Sequence, residues 1–229
     1  MIRSATALFV FCLFSSAVAA KEANVGPASL NLTPPQGYCE MDAAQPSDAR
    51  MLTAINGMLG NTANRLLVAS AECNQLKDWR TGKRQLLDNT AQYQTMISLE
   101  NAPLPATPEA MIKDTCNQLR AQGEQMVANA TSDAKTRAEE VLKTIKVNES
   151  KFMGVVGEDP LACYAAVLQE FTTETGAEKT QVIVFATTVL KGKIIYYYLY
   201  APYVSGDSVT QMLAEQRVNV TKLQAANPN

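Results

Sequence analysis

Five of the eight residues from Tyr196 to Tyr203 are tyrosines, in the stretch KIIYYYLYAPY. A phenol offers a flat apolar ring and a hydroxyl that both donates and accepts, which suits contact rather than bond breaking. Strand alternation sends Ile194, Tyr196, Tyr198 and Tyr200 to one face and Ile195, Tyr197, Leu199 and Ala201 to the other. Tyr196, Tyr198, Tyr200 and Tyr203 are therefore the candidate ligand- or partner-binding residues, Tyr203 because it follows Pro202 into a loop. The competing reading is packing. Tyrosine has high strand propensity, and a row of rings half buried beneath a helix would be written the same way.

Other chemistry is thin. The chain has no histidine. That removes Ser-His-Asp and Cys-His catalysis, and it removes the commonest ligand for zinc, copper and haem. Ser132-Asp133-Ala134-Lys135 has the S-x-x-K spacing of penicillin-recognising acyl enzymes, which need no histidine. Its companions are missing: no S-D-N follows, and Lys179-Thr180-Gln181 lacks the glycine of K-T-G. Asp42, Asp48, Glu139-Glu140 and Glu158-Asp159 fall in no calcium-loop pattern and read as solvated carboxylates. No phosphate-binding glycine pattern occurs, so no cofactor and no metal is expected. Asn31, Asn129, Asn148 and Asn219 stand in glycosylation sequons.

The first twenty residues read as a cleaved signal peptide. Arg3 supplies the positive start, Ala7 to Phe14 a short apolar core, and Val18 and Ala20 the small residues before the cut. Four cysteines follow: Cys39, Cys73, Cys116 and Cys163. An even number in an exported chain implies two disulfides, and three pairings are open. Cys39–Cys73 with Cys116–Cys163 is favoured, because Cys116 lies on the apolar stripe of a helix and Cys163 on a strand face with Ala165 and Val167. Each such loop contributes roughly 4 kcal/mol in the chain-entropy account. The formal charge of −2 over 229 residues gives no footprint for nucleic acid, and no later stretch is apolar enough to span a bilayer.

These residues need elements to hold them. Residues 21–28 show no periodicity and read as a mobile leader to a single α+β domain over 21–229. A short strand carries Tyr38, Cys39 and Met41. A helix follows, capped by Ser47, with Met51, Leu52, Ile55, Met58 and Leu59 on one face. Asn64 to Cys73 and Gln92 to Glu100 read as strands, with a glycine-centred turn between Trp79 and Gln85. Thr107-Pro108-Glu109 opens a long helix toward Ile145, with Ile112, Cys116, Leu119, Gly123 and Met126 in its stripe. Asn129 to Asp133 carries capping residues that would either kink that helix or split it. The last third reads as an antiparallel meander of four strands and a helix capped near Ser205 or Asp207.

The expected fold is thus an antiparallel sheet meander packed against a long central helix and a C-terminal helix. The order of elements, with TPPQGYC, NRLLVASAEC and the closing hairpin–helix KGKIIYYYLYAPYVSGDSVTQMLAEQRVNVTKLQAAN, resembles the PsbP/Mog1-like α/β sandwich and is similar to uncharacterised exported bacterial proteins. That resemblance implies a binding or accessory role in complexes, and it transfers no functional residue. The expectation is a soluble, non-catalytic binding or accessory protein of the cell envelope, periplasmic or secreted, with an envelope protein as partner. The alternatives are a periplasmic binder of a small apolar or aromatic ligand, or a histidine-free hydrolase.

Overall fold

The described residues begin with a hairpin. Lys21–Val25 (β1) pairs antiparallel with Ala28–Leu32 (β2) across Gly26. Gly26 has φ +55°, and a Cβ there would stand 2.1 Å from the Glu100 carbonyl oxygen, so only glycine fits. The computed structural model describes residues 21–60, 63–141 and 145–228. The expected signal segment 1–20 lies outside the described residues. The expected leader 21–28 is corrected: β1 alternates, and Val25, Leu30 and Leu32 of the hairpin are fully buried. Five-residue strands around a proline are too short for a periodicity to show.

Tyr38–Glu40 (β3) leads to helix Pro46–Leu59 (α1), then Asn64–Glu72 (β4), helix Cys73–Arg80 (α2) and Thr90–Met96 (β5). Ser47 does not cap α1. The cap is Gln45 without a side-chain bond, and Ser47 and Asp48 are buried. Helix α2 was not expected, and it precedes the glycine-centred turn that was. The Glu72 carboxylate accepts from the Asn74 and Gln75 N–H groups and starts it, and Gly82 turns the chain after it. Helix Pro108–Val141 (α3) runs unbroken through Asn129 to Asp133. Strands Ile145–Asp159 (β6), Ala162–Thr173 (β7), Glu178–Leu190 (β8) and Lys193–Pro202 (β9) follow, then helix Gly206–Ala226 (α4). Ser205 caps α4 in a reciprocal box with Ser208.

Seven strands form one antiparallel sheet in the order β3-β4-β5-β9-β8-β7-β6. The meander β6 to β9 docks onto β5, which places the tyrosine strand in the middle of the sheet. The fold is α+β, with a long helix on one face and the C-terminal helix on the other. Among the described residues, no helix is long and apolar enough to cross a membrane.

The two faces are covered differently. Helix α4 and the β1–β2 hairpin close one face over Tyr93, Tyr164, Val184, Ile195, Tyr197 and Leu199. Asn227 stitches them together, accepting from the Asn31 N–H at 2.7 Å and donating to the Asn31 carbonyl at 3.0 Å. The other face carries α1 and α2 over β4, and α3 over β6 and β7. The disulfide Cys39–Cys73 joins β3 to the start of α2, with Cα atoms 4.9 Å apart. Cys116–Cys163 pins α3 to β7, with Cα atoms 5.5 Å apart. Both favoured pairings are present. Near the same place Gly123 lets α3 press on β6, since a Cβ there would lie 2.3 Å from the Phe152 ring.

Candidate functional site

Between the α1 end and the second half of α3, the middle of the sheet is left uncovered. The result is a groove of about 620 Å³. Its floor is the tyrosine row Tyr196, Tyr198 and Tyr200 of β9 beside Ile183 and Phe185 of β8. Met126, Ala130, Asp133 and Arg137 of α3 form one wall, and Met58 and Leu59 of α1 meet it at one end. The groove exists because α3 is held down only in its first half, by Cys116 and at Gly123. Beyond that point it spans from the β6–β7 edge to α1. There the Arg137 guanidinium donates to the carbonyls of Met58 at 3.0 Å and Leu59 at 2.6 Å, satisfying the open C-terminus of α1.

The floor is a continuous aromatic surface. Phe185 and Tyr198 have ring centroids 5.6 Å apart, and Tyr198 and Tyr200 are 6.3 Å apart with nearly parallel planes. All three tyrosines are half-buried. None of their hydroxyls has a hydrogen-bond partner among the described residues, and none is sealed from solvent. Burial pushes the phenols of Tyr196 and Tyr200 up, and it does so for Tyr198 together with its neighbours Tyr200 and Tyr196. They therefore stay neutral, and each keeps a proton to donate.

Amide side chains flank the rings. Gln94 accepts from Asn64 at 3.3 Å and donates to Gln92 at 2.9 Å. On the far side Gln181 donates to Gln169 at 2.7 Å, and Gln169 donates to Ser150 at 3.3 Å. These strips answer one another across the strands, and the tyrosine hydroxyls do not join them.

The expected residues divide. Tyr196, Tyr198 and Tyr200 come together in the groove, while Tyr203 packs with the α4-side cluster on the opposite face. Its odd position continues the alternation of Tyr197, Leu199 and Ala201 toward the α4 side, and its backbone N–H bonds to the Thr180 carbonyl at 3.0 Å. Ser132 and Lys135 are exposed on α3 and line no part of the groove, and Ser132 sits mid-helix rather than at a cap. Glu158 pairs with Arg120 at 2.7 Å, and Asp159 accepts from the Leu161 and Ala162 N–H groups. The side chains of Glu139 and Glu140 lie outside those described. No cluster that could hold a metal is found among the described residues. Asn219 is buried against the Tyr197 hydroxyl, so its sequon is closed in the folded chain.

Asp48 corrects the view of that residue as a solvated carboxylate. It is fully buried and takes a two-pronged bond from Arg80, the shorter contact being 2.6 Å. Burial alone would raise its pKa. The Arg80 guanidinium, the Asp42 N–H and the Ser47 hydroxyl outweigh that and hold it below the usual carboxylate range. The pair anchors α1 to α2 and works as structure.

Missed from the sequence were the walls: Met58 and Leu59 from α1, Met96 from β5, and Asp133 and Arg137 from α3. Only the alternation Gln92, Gln94, Met96 against Tyr93 and Thr95 hinted that β5 shares the tyrosine face.

No family model matches the chain, and no curated protein matches it in sequence. Solved structures align with it at low similarity. The Ran-binding protein Mog1p of Saccharomyces cerevisiae superposes with a TM-score of 0.31 and 10% identity, covering 92% of this chain and 93% of its own. A point mutant of protein Mog1 gives a TM-score of 0.30 and 11% identity, covering 91% and 92%. Scores at this level carry no argument, so the architecture rests on the chain's own topology.

Proposed function

We propose that the protein is an exported, non-catalytic binding protein whose groove takes a small apolar or aromatic ligand. One observation carries this reading: the tyrosine row is the floor of a concave cleft, with unpaired hydroxyls facing the space. A flat exposed patch would have suited a protein partner better, so the envelope partner expected first becomes the runner-up. Rings and methionines supply adaptable apolar contact, and the phenols supply hydrogen bonds that orient what sits on them. The two disulfides and the N-terminal segment fit an oxidising compartment outside the cytosol.

The test uses a neutral phenylnaphthylamine dye that brightens in apolar surroundings. The expected result is a saturable rise with one dye per chain, weakened at least about tenfold in Ala130→Trp, which fills the groove from an exposed helix position. Circular dichroism checks that the variant folds. Unchanged affinity in that variant, or no saturable binding by the wild type, would move the site elsewhere.

A further inference from the structure

We infer that the groove selects ligands carrying a positive charge, an amine or quaternary ammonium on an apolar or aromatic body. The inference rests on the groove being a binding site and names the chemistry it prefers.

Four features set the sign. The floor is built of contiguous aromatic side chains, Phe185, Tyr198 and Tyr200, whose π-systems attract a cation that reaches a ring face. The phenols stay neutral, so they add no full charge of their own. Asp133 stands on the wall with no hydrogen bond or ion pair among the described residues, so its charge is free to meet a ligand. Arg137 is the cation among the lining residues, and its Nη1 is committed to the Met58 and Leu59 carbonyls at the negative end of the α1 dipole. An anionic ligand would have only the remaining guanidinium nitrogens to meet and would sit near Asp133. A cationic one leaves the clasp intact, gains the carboxylate, and lies over the rings.

The experiment compares three probes with one body and three heads: phenylbutylamine, phenylbutanol and phenylbutyrate. Each is titrated into the full exported chain at low salt and followed by tyrosine-ring NMR shifts. The expected order is amine tightest, by about tenfold over the alcohol, and carboxylate weakest. Asp133→Asn, at an exposed helix position, should erase most of the preference for the amine over the alcohol. If the alcohol binds as tightly as the amine, or the carboxylate binds best, the charge preference is wrong while the groove still stands as a site. An amine preference that survives Asp133→Asn would overturn the role given to that carboxylate. If none of the three shifts the tyrosine rings, the groove reading falls, and this inference falls with it.

Discussion

Tyr197 and Tyr198 are neighbours in one strand, of one residue type, and they live in different environments. Tyr197 is fully buried beneath α4 and stacks on Tyr93 at 4.7 Å. Its hydroxyl accepts from Asn219 at 2.9 Å, and Tyr93 in turn donates to the Thr33 carbonyl at 2.8 Å. Even its backbone is claimed, since Gln216 donates to the Tyr197 and Val184 carbonyls at 2.9 and 2.7 Å. Tyr198 faces the groove half-buried, with its hydroxyl unpaired. The α4 face uses its tyrosines to finish a core. The α3 face leaves its tyrosines unfinished, and the difference lies in what covers them. A buried polar group left unpaired is costly, so a native fold keeps such groups where solvent or a ligand can answer them.

The largest expected effect breaks the comparison directly. Tyr197→Ala should cost about 3–5 kcal/mol, as for deleting a buried ring. Tyr198→Ala should cost about 1–2 kcal/mol, because solvent or α3 can partly occupy the vacated space. Urea unfolding of both variants measures the gap, and equal costs would mean that the groove face is as tightly packed as the core.

Next comes the tether that shapes the groove. Cys116→Ser with Cys163→Ser should lower stability by about 2–4 kcal/mol and loosen α3. Hydrogen exchange should rise along α3 and stay unchanged along α4. Faster exchange on both helices would show that the two faces are not separable. Below that is the anchor of α1. Asp48→Asn should cost about 2 kcal/mol by weakening the charge-assisted bonds from Arg80. The folded-state pKa of Asp48 lies below its ordinary value of 3.8. Its contribution is therefore complete above that ordinary value and lost as pH falls through the lower folded one. The difference in Tm between wild type and variant should hold from about pH 8 to about pH 5 and close on further acidification. A difference that persists in strong acid would assign the loss to packing.

Much of the fold could be read from period and punctuation. The meander was legible because each of its strands is long, rich in β-branched and aromatic residues, and bounded by glycine turns such as Gly176 and Gly192. The Cys116–Cys163 pairing was favoured because a helix stripe and a strand face each carried one of the cysteines, and the bridge is present. The β1–β2 hairpin and α2 were not legible, being short elements that form because tertiary partners bury Leu30 and Leu76. Asp48 looked like a surface acid because its partner Arg80 is 32 residues away. The candidate site was legible only as its floor. Small residues in mid-stripe, Gly123 and Ala130, would let α3 sit close to the sheet. Gly123 fulfils that against Phe152, but Ala130 lines open space. Whether a helix lies flat or lifts away depends on where it is pinned at both ends, which local pattern does not encode.

The smallest expected effect sharpens the comparison most, because it removes a single oxygen on each side of one strand. Tyr197→Phe deletes the acceptor for the Asn219 amide in a buried site and should cost about 1–2 kcal/mol. Tyr198→Phe deletes a hydroxyl with no partner, so stability should change by less than about 0.5 kcal/mol. Ligand binding should then reverse the order. Tyr198→Phe keeps the ring and its quadrupole, so a cationic probe should lose little, while a probe whose grip depends on accepting the phenol proton should weaken by several-fold. Tyr197→Phe should leave both affinities alone. Matched unfolding and binding curves for the two variants would show each tyrosine serving one purpose, and a Tyr198→Phe variant that loses stability without losing any ligand would return the row to packing.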